Sequence, residues 1–417
     1  MTVMKEDFLK QGVDFSEFKD VVFNLSSQAK EDRKVNGDKV VNATIGSFMN
    51  EDGSILTFDT VFNSFDRVSN SDKARYASDI AGNPDFREEI FKWINRKNNI
   101  ALPHSVVASP GGTGAIYLLF SNCLEKGQTV LLPEIYWGSY RLMANKENLK
   151  TDCYGLVKNG KVSLEDLMDK SRKIMKAQGR LMVVINDPCH NPTGISLGRE
   201  KWKQLITFFN ELSSEGPVIV LNDIAYLDFS YDLANVTDYM ECFNEINENV
   251  LLVLAASCSK SFTAYGLRLG ADIILAKKQE TVDHIEAAFK RTARSCWSNV
   301  NNGFMHCFVD VMKNHRDEYL KEKEQAVALL KKRSDVFLKE AKECGLPLYP
   351  YTEGFFITIP FKDTDLMEKY HKALIANHIY AAKFTCGIRI AICGLPLKKC
   401  QGLAGRLMDI LQEVTND

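Results

Sequence analysis

Ser257–Gly270 reads SCSKSFTAYGLRLG and follows directly on an apolar run, Val250–Ala256 (VLLVLAA). A short continuous apolar run of this kind predicts a buried strand. Lys260 therefore stands just past a strand end, among Ser257, Ser259 and Ser261, with Arg268 between Gly266 and Gly270. Desolvation and a nearby cation both disfavour a charged lysine, so its pKa falls. A partly neutral amine at pH 7 is nucleophilic and can form a Schiff base with an aldehyde. Hydroxyls and an arginine beside it suit the phosphate that most biological aldehyde cofactors carry. The bare S-x-S-K string fits a solvated basic loop equally well, so the rest of the chain has to decide.

Bulk properties narrow the choice. A chain of 417 residues can bury a large core and predicts two or three domains. Its 52 basic and 54 acidic residues leave a net charge of −2, which points neither to nucleic acid nor to an anionic membrane as partner. The amino terminus has no apolar core of a secretory signal, and no apolar run approaches the roughly 20 residues of a membrane span. The eleven cysteines lack the close C-x-x-C pairing of zinc sites, and even the evenly spaced Cys386, Cys393 and Cys400 suggest no metal. A reduced, cytoplasmic protein is expected.

Taken in order, residues 1–40 are polar and predict a helix and an arm. Val40–Gly46 (VVNATIG) predicts a short strand ending in a glycine turn, and Ala74–Gly82 (ARYASDIAG) precedes an amphipathic helix, Asp85–Asn95. Ser109–Ala115 (SPGGTGA) opens a helix over Gly114–Leu124. Glycine-rich backbone entering a helix N-terminus favours anions, although this one lacks the third glycine of a dinucleotide fingerprint and the G-K-[ST] of a P-loop. The strand Thr129–Pro133 leads to IYWGSY (135–140), and Leu181–Asp187 leads to PCHNPTG (188–194), a turn that allows a cis X–Pro bond. His190 within it reads as a buried histidine with its hydrogen bonds satisfied.

Helix Gly198–Leu212 and strand Pro217–Asp223 follow, placing a carboxylate at a strand's carboxyl end, where open α/β sheets put functional groups. An N-cap role for Asp223, a core role for Trp137 and a surface role for Tyr76 are the plain alternatives. Beyond the lysine stretch come strand Ala271–Leu275, helix Val282–Arg291 and TARSCWSN (292–299). One long charged helix, Asn314–Cys344, then joins a small α+β unit with strands Phe355–Pro360 and Ile388–Cys393 and helices Leu366–Asn377 and Leu397–Leu411. Alternating strands and helices from about residue 105 to 275 argue for an α/β doubly wound core.

Several strings recur here in one order: Y-x-x-x-x-x-G at 76–82, G-G-T-G-A at 111–115, N-P-T-G at 191–194, S-x-S-K-S-F-x-x-x-G-x-R-x-G at 257–270, R-x-x-W-S-N at 294–299 and G-x-R-I-x-x-x-G at 387–394. Together they closely resemble the class I aminotransferases of the aspartate and aromatic type, which depend on pyridoxal 5'-phosphate (PLP). The resemblance covers nearly the whole chain. It implies a large PLP-binding domain with a mainly parallel doubly wound sheet (residues 50–312), and a small α+β domain with the N-terminal arm (residues 1–49 and 313–417).

By the same resemblance, Lys260 holds the cofactor and moves the substrate's α-proton. Gly111, Gly112, Thr113, Ser257 and Arg268 bind its phosphate, joined by Tyr76 from a partner subunit. Trp137 stacks on its ring, and Asn191 and Tyr226 bond the ring oxygen. Asp223 pairs with the pyridine nitrogen, which makes the ring an electron sink. Gly46 and Arg389 receive the substrate's α-carboxylate, and Arg294 of a partner grips a distal one. The implied reaction exchanges an amino group between an L-amino acid, aspartate- or glutamate-like, and a 2-oxo acid, in a homodimer. Aromatic or other neutral amino acids, and a lyase or decarboxylase reaction on the same fold, are the alternatives. Two departures stand out: Tyr140 replaces a histidine of the aspartate-specific members, and Val300 and Asn301 replace two usual prolines.

Overall fold

Continuous apolar runs such as LMVVI (181–185) and VIVL (218–221) have no polar face to offer water, so each must be covered on both sides. The computed structural model, which describes Phe8 and residues 20–416, covers them with helices in a layered α/β arrangement. In chain order, α1 (Val21–Asn36) and β1 (Val41–Ala43) precede α2 (Asp59–Arg67), α3 (Asn70–Ala74) and α4 (Pro84–Ile94). Next come β2 (His104–Ser109), α5 (Gly111–Cys123), β3 (Thr129–Pro133), α6 (Ser139–Lys146) and β4 (Lys150–Tyr154). A small hairpin, β5 (Val157–Lys158) and β6 (Lys161–Val162), leads to α7 (Glu165–Gln178), β7 (Leu181–Asn186), α8 (Gly198–Leu212) and β8 (Val218–Asp223). The lysine stretch spans β9 (Val250–Ser257), the single-turn α9 (Cys258–Ser261) and β10 (Gly270–Leu275). Then follow α10 (Gln279–Cys296), α11 (Asn302–Asn314) and α12 (Arg316–Cys344). The chain finishes with β11 (Phe356–Pro360), α13 (Thr364–Ala376), β12 (Ile379–Phe384), β13 (Gly387–Ala391), α14 (Leu397–Cys400) and α15 (Leu403–Asn416).

Seven strands form the central sheet in the order β2-β10-β9-β8-β7-β3-β4. It is mostly parallel, and β10 alone runs against its two neighbours. Strand period 2 sorts the side chains between the faces. Val218 and Val220 of β8 pack with Trp202 and Phe209 of α8, while Ile219 and Leu221 join Ile116, Leu118 and Leu119 of α5. A second sheet, β1-β12-β13-β11, gathers β1 from near the amino terminus with the three C-terminal strands.

The parallel strands end together. Asn186 at the end of β7 is in register with Asp223 at the end of β8, and Ser257 closes β9 beside Gly270 of β10. Three adjacent carboxyl ends therefore open one crevice, the place where such sheets bind ligands.

Several boundaries differ from those the sequence predicts. α10 runs past Arg291 to Cys296, so Arg294 sits in its last turn rather than in a following loop. The long helix starts at Arg316, because His315 separates it from α11. Gly402, with φ +72°, divides the expected Leu397–Leu411 helix into α14 and α15. The elements α7 and β12 are absent from the sequence reading: α7 is largely charged, and the AA pair of β12 (IYAAKF) carries weak strand propensity.

One residue of the sheet stands out energetically. Asp272 of β10 is fully buried, and neither carboxyl oxygen has a hydrogen-bond partner among the described residues. Burial pushes its pKa well above the ordinary carboxylate value. Below about pH 4 folded and unfolded chains both hold this proton. As pH rises the unfolded chain alone ionises, so the folded state loses stability. Asp272→Val suits a strand and removes an unpaired polar group worth roughly 1–3 kcal/mol. The variant is expected to melt at a higher temperature, by a margin larger at pH 8 than at pH 4, as scanning calorimetry at both values would show.

Candidate active site

Lys260 lies in the single turn α9, immediately after the end of β9, and is half-buried. Its Nζ donates to the Gly46 carbonyl at 2.8 Å and lies 4.8 Å from the Tyr265 ring centroid and 5.5 Å from that of Tyr226. Burial, reinforced by the guanidinium groups of Arg389 and Arg268, pushes its pKa down to about 8. The amine is therefore partly neutral near physiological pH, as a nucleophile or proton carrier requires.

Asp223 is 4% exposed. Its Oδ2 accepts from the Tyr140 hydroxyl at 2.5 Å, and its Oδ1 accepts from the Ala225 amide at 3.0 Å. Burial raises its pKa despite these two donors. Asn186 Nδ2 bonds the Asp223 carbonyl at 2.8 Å, and Asn186 Oδ1 accepts from the Asn191 amide at 2.7 Å. The carboxyl ends of β7 and β8 are thus tied to the Asn191 turn. In that turn Asp187–Pro188 and Asn191–Pro192 are both cis.

Asn191 connects the two sides of the crevice. Its Nδ2 donates to the Tyr226 hydroxyl at 3.3 Å, and its Oδ1 accepts from Arg389 Nη1 at 3.1 Å. Arg389 also donates from Nη2 to the Thr44 carbonyl at 2.7 Å, whereas its Nε has no partner among the described residues. The guanidinium is 4% exposed and sits between the rings of Phe356 and Phe384. Burial lowers its pKa to about 10. A buried cation answered only by neutral oxygens is costly, and a bound carboxylate would relieve it.

A second basic corner forms where β9, β10 and α5 meet. Arg268, at φ +54°, donates to Ser259 Oγ (3.0 Å), the Tyr265 carbonyl (2.9 Å) and the Pro110 carbonyl (3.2 Å). A Cβ on Gly111 would come within 2.5 Å of Arg268 Nη2, and one on Gly112 within 3.3 Å of the Ser257 side chain. The two glycines therefore let the first turn of α5 close on the arginine and the serines, and that turn's free N–H groups favour an anion. Left-handed backbone at a non-glycine residue such as Arg268 is the kind of strain that collects at functional sites.

The crevice thus brings together Lys260, Asp223, Tyr226, Asn191, Gly46 and Arg389, with Gly111, Gly112, Ser257 and Arg268 at its basic corner. Thr113 is exposed on the first turn of α5. Trp137 is partly buried, with its ring edge-on to Tyr140 at 5.6 Å. Two other candidates are not gathered in. Tyr76 is 81% exposed, and Arg294 is exposed, donating to Ser298 Oγ at 2.5 Å. His190 is not the satisfied histidine expected: Nδ1 meets Thr193 Oγ1 at 2.8 Å, but Nε2 has no partner among the described residues.

The family model described as aminotransferase class I and II matches residues 38–407. The chain belongs to this family. An aspartate aminotransferase of Salmonella typhi is 27% identical over 266 residues, covering 62% of this chain and 65% of that relative, a little under two thirds of its length. A crystal structure of an aminotransferase from Anaerococcus prevotii superposes with a TM-score of 0.93 at 28% identity, covering 96% of this chain and 98% of that one. An aromatic-amino-acid aminotransferase from Burkholderia pseudomallei, covalently bound to pyridoxal phosphate, shares the fold with a TM-score of 0.77 at 20% identity, covering 96% and 99%.

Aminotransferases of class I and II use PLP, and the residues present fit that cofactor. Asp223 is a buried carboxylate bonded only to neutral donors, suited to a pyridinium N–H. The hydroxyls, glycines and Arg268 suit a phosphate, and the Lys260 amine suits an aldehyde. The family sequence features also miss some of this chain's own parts. Tyr140 registers only as a departure, yet its hydroxyl holds Asp223. The departure at Asn301 has a structural role: its side chain caps α11 by accepting from the Phe304 amide and donates to the Leu267 carbonyl, one residue before Arg268.

Titrating the apo-protein with PLP tests this corner-by-corner assignment. Arg268→Ala is expected to raise the dissociation constant about 10- to 100-fold, the loss of charge-assisted hydrogen bonds. Tyr140→Phe removes one hydrogen bond and is expected to raise it about 2- to 10-fold. An Arg268→Ala protein with native affinity would remove the basic corner from the cofactor site.

Proposed function

We propose that this aminotransferase exchanges the amino group of an aspartate- or glutamate-like L-amino acid with a 2-oxo acid. The observation that carries the reading is the convergence of Lys260, Asp223 and Arg389 on one crevice, where neither Asp223 nor Arg389 has an ion-pair partner among the described residues. When bound, PLP supplies a carbonyl that captures the amine and a ring that withdraws electrons from the α-carbon.

The chain's own residues perform the remaining work. Arg389 binds the substrate α-carboxylate through its fork, and this fixes the α-carbon relative to Lys260. The Lys260 amine would take the α-proton as a general base and, as a general acid, return it two atoms away, across the nitrogen, to the former carbonyl carbon, typically about 10²- to 10⁴-fold in rate. Asp223, held by Tyr140 and the Ala225 amide, keeps a proton on the ring nitrogen. Tyr226 and Asn191 would hydrogen-bond the ring oxygen, and Trp137 would stack on the ring. The corner of Arg268, Ser257, Gly111, Gly112 and Thr113 anchors the phosphate. Gly46 leaves room for the substrate carboxylate, since a Cβ there would crowd Phe356 at 3.1 Å.

A homodimer completes the reading. Tyr76 and Arg294 are both exposed, so each is free to reach a second copy, Tyr76 at the phosphate and Arg294 at the distal carboxylate of a dicarboxylic substrate. The large domain, residues 50–312, would carry the cofactor, and residues 1–49 with 313–417 would form the small domain. The cytoplasm is the proposed location, where reducing conditions keep the eleven thiols free.

Three measurements test the reading. Adding aspartate alone to the PLP-loaded protein is expected to convert the lysine-bound cofactor absorbance to that of pyridoxamine phosphate, and Lys260→Ala is expected to abolish turnover. An absorbance indifferent to aspartate and glutamate would overturn the substrate assignment. Because the free amine has a pKa of about 8, the rate at which the apo-protein takes up PLP should rise about tenfold per pH unit below 8. It should then level off above pH 8, where the amine is already neutral.

A further inference from the structure

Long helix α12 crosses behind the crevice, and its buried face is mostly apolar: Ala326, Val327, Leu330, Phe337 and Ala341. Two charged residues interrupt that face, Lys323 and Arg333, each fully buried. Apolar side chains would fill the same positions without the desolvation cost of a charge. What the two cations touch explains their presence better than packing does.

Lys323 lies over the rings of Phe58, Phe229 and Tyr319, and its Nζ donates to the Ser261 carbonyl. The Tyr319 hydroxyl, one turn earlier on α12, donates to the same oxygen at 2.7 Å. Ser261 follows Lys260 directly, so two α12 side chains grip the peptide next to the catalytic lysine.

Arg333 reaches the opposite wall. Its Nη1 donates to the Cys393 carbonyl at 3.0 Å and its Nη2 to the Met49 carbonyl at 2.9 Å. Its Nε and Nη2 also meet Glu51 Oε1, at 3.1 and 2.5 Å. Glu51 in turn accepts from the Leu397 amide. The segment from Thr44 to Glu51 carries Gly46, whose carbonyl holds Lys260, and Thr44, whose carbonyl holds Arg389. Cys393 lies just beyond Arg389, past the end of β13. One guanidinium therefore joins the strand end that carries Arg389 to the loop that carries Gly46.

We propose that Lys323 and Arg333 are positioning residues that set the gap between the Lys260 amine and the Arg389 guanidinium. They lie about 15 Å apart along α12 at the helical rise of about 1.5 Å per residue, one tied to each side of the reacting centre. The proposal rests on the transamination reading above. It assigns separate consequences to the two ends of the helix. Loss of Lys323 frees the amine and leaves the carboxylate grip in place, and loss of Arg333 loosens the grip first.

The test uses the full PLP-loaded chain with Lys323→Met, Arg333→Met and Arg333→Lys. Steady-state kinetics, the dissociation constant of succinate, the pH midpoint of the bound-cofactor absorbance and the melting temperature are all measured. Succinate is chosen because it carries carboxylates and no amino group to react. Arg333→Met is expected to raise both KM and the succinate constant about tenfold or more, with kcat falling on the order of 10²-fold, as for a misplacement of about 1 Å. Arg333→Lys should recover part of this, since it keeps the charge and loses the fork. Lys323→Met should lower kcat by a similar factor with KM within about twofold, and should shift the absorbance midpoint. If Arg333→Met fails to fold, Glu51→Gln replaces it: its side chain is 49% exposed, and the same direction with a smaller rise is expected. Variants that melt earlier yet keep native kcat, KM, succinate binding and absorbance midpoint would make α12 a structural support only and overturn the proposal. A native protein that transaminates nothing would instead overturn the functional reading, and the succinate and absorbance differences between variants would still report on positioning.

Discussion

Two buried charged groups with no ion-pair partner among the described residues govern this structure. Among the described residues, Arg389 is almost fully enclosed and bonds only neutral oxygens, with Nε unpartnered. Asp223 is equally enclosed and bonds only a hydroxyl and an amide. A direct ion pair between them would be an inexpensive way to settle both. Asn191 stands between them instead, bonding Arg389 on one side and Tyr226 on the other. Keeping opposite charges apart in a low-dielectric crevice leaves each free for a ligand group of the opposite sign, and their energetic cost becomes affinity.

The rest of the fold holds that separation rigid. Asp223 comes from β8 in the central sheet and Arg389 from β13 in the second sheet, so the gap depends on how the two sheets meet. Backbone bonds from Thr352 and Glu353 to the Gly194 carbonyl, and from Thr358 Oγ1 to the Pro192 carbonyl, clamp the C-terminal unit onto the Asn191 turn. The Glu353 carboxylate strengthens this seam by accepting from Ser196, Ser230 and the Tyr231 amide. Among them, Thr358 is the in-register neighbour of Arg389 on the adjacent strand. They matter because a positional error at the seam is passed straight to Arg389.

Much of this was legible in the sequence because the fold and the site use different kinds of signal. Uninterrupted apolar runs identify strands covered on both faces, and β3, β7, β8 and β9 are visible on that basis alone, whereas Asp272 interrupts the run of β10. The chemistry resides in short strings next to strand ends, so Lys260, Asp223 and Asn191 can be placed before any coordinates. The hidden parts are those that act through space. Lys323 and Arg333 look like ordinary charges on a charged helix, since nothing local marks the buried face of α12. Tyr140 reads as a lost histidine until its hydroxyl is seen on Asp223. Helix ends were misjudged where a single residue decides, as at His315 and Gly402.

Asp223 and Asp272 show how little strand position alone determines. Both are in register with Ala255 from opposite sides, so their side chains leave the same face of the sheet. Both are buried carboxyls with raised pKa. Asp223 lies at the strand end, where Tyr140, the Ala225 amide and an open crevice meet it. Asp272 lies further inside, beneath α5, and no group among the described residues answers it. The same residue type in the same row is held by donors beside a crevice in one place and is a cost in the other. The difference lies in what the neighbouring layer supplies: a buried carboxylate becomes useful only where donors hold one side of it and space for a cation remains on the other.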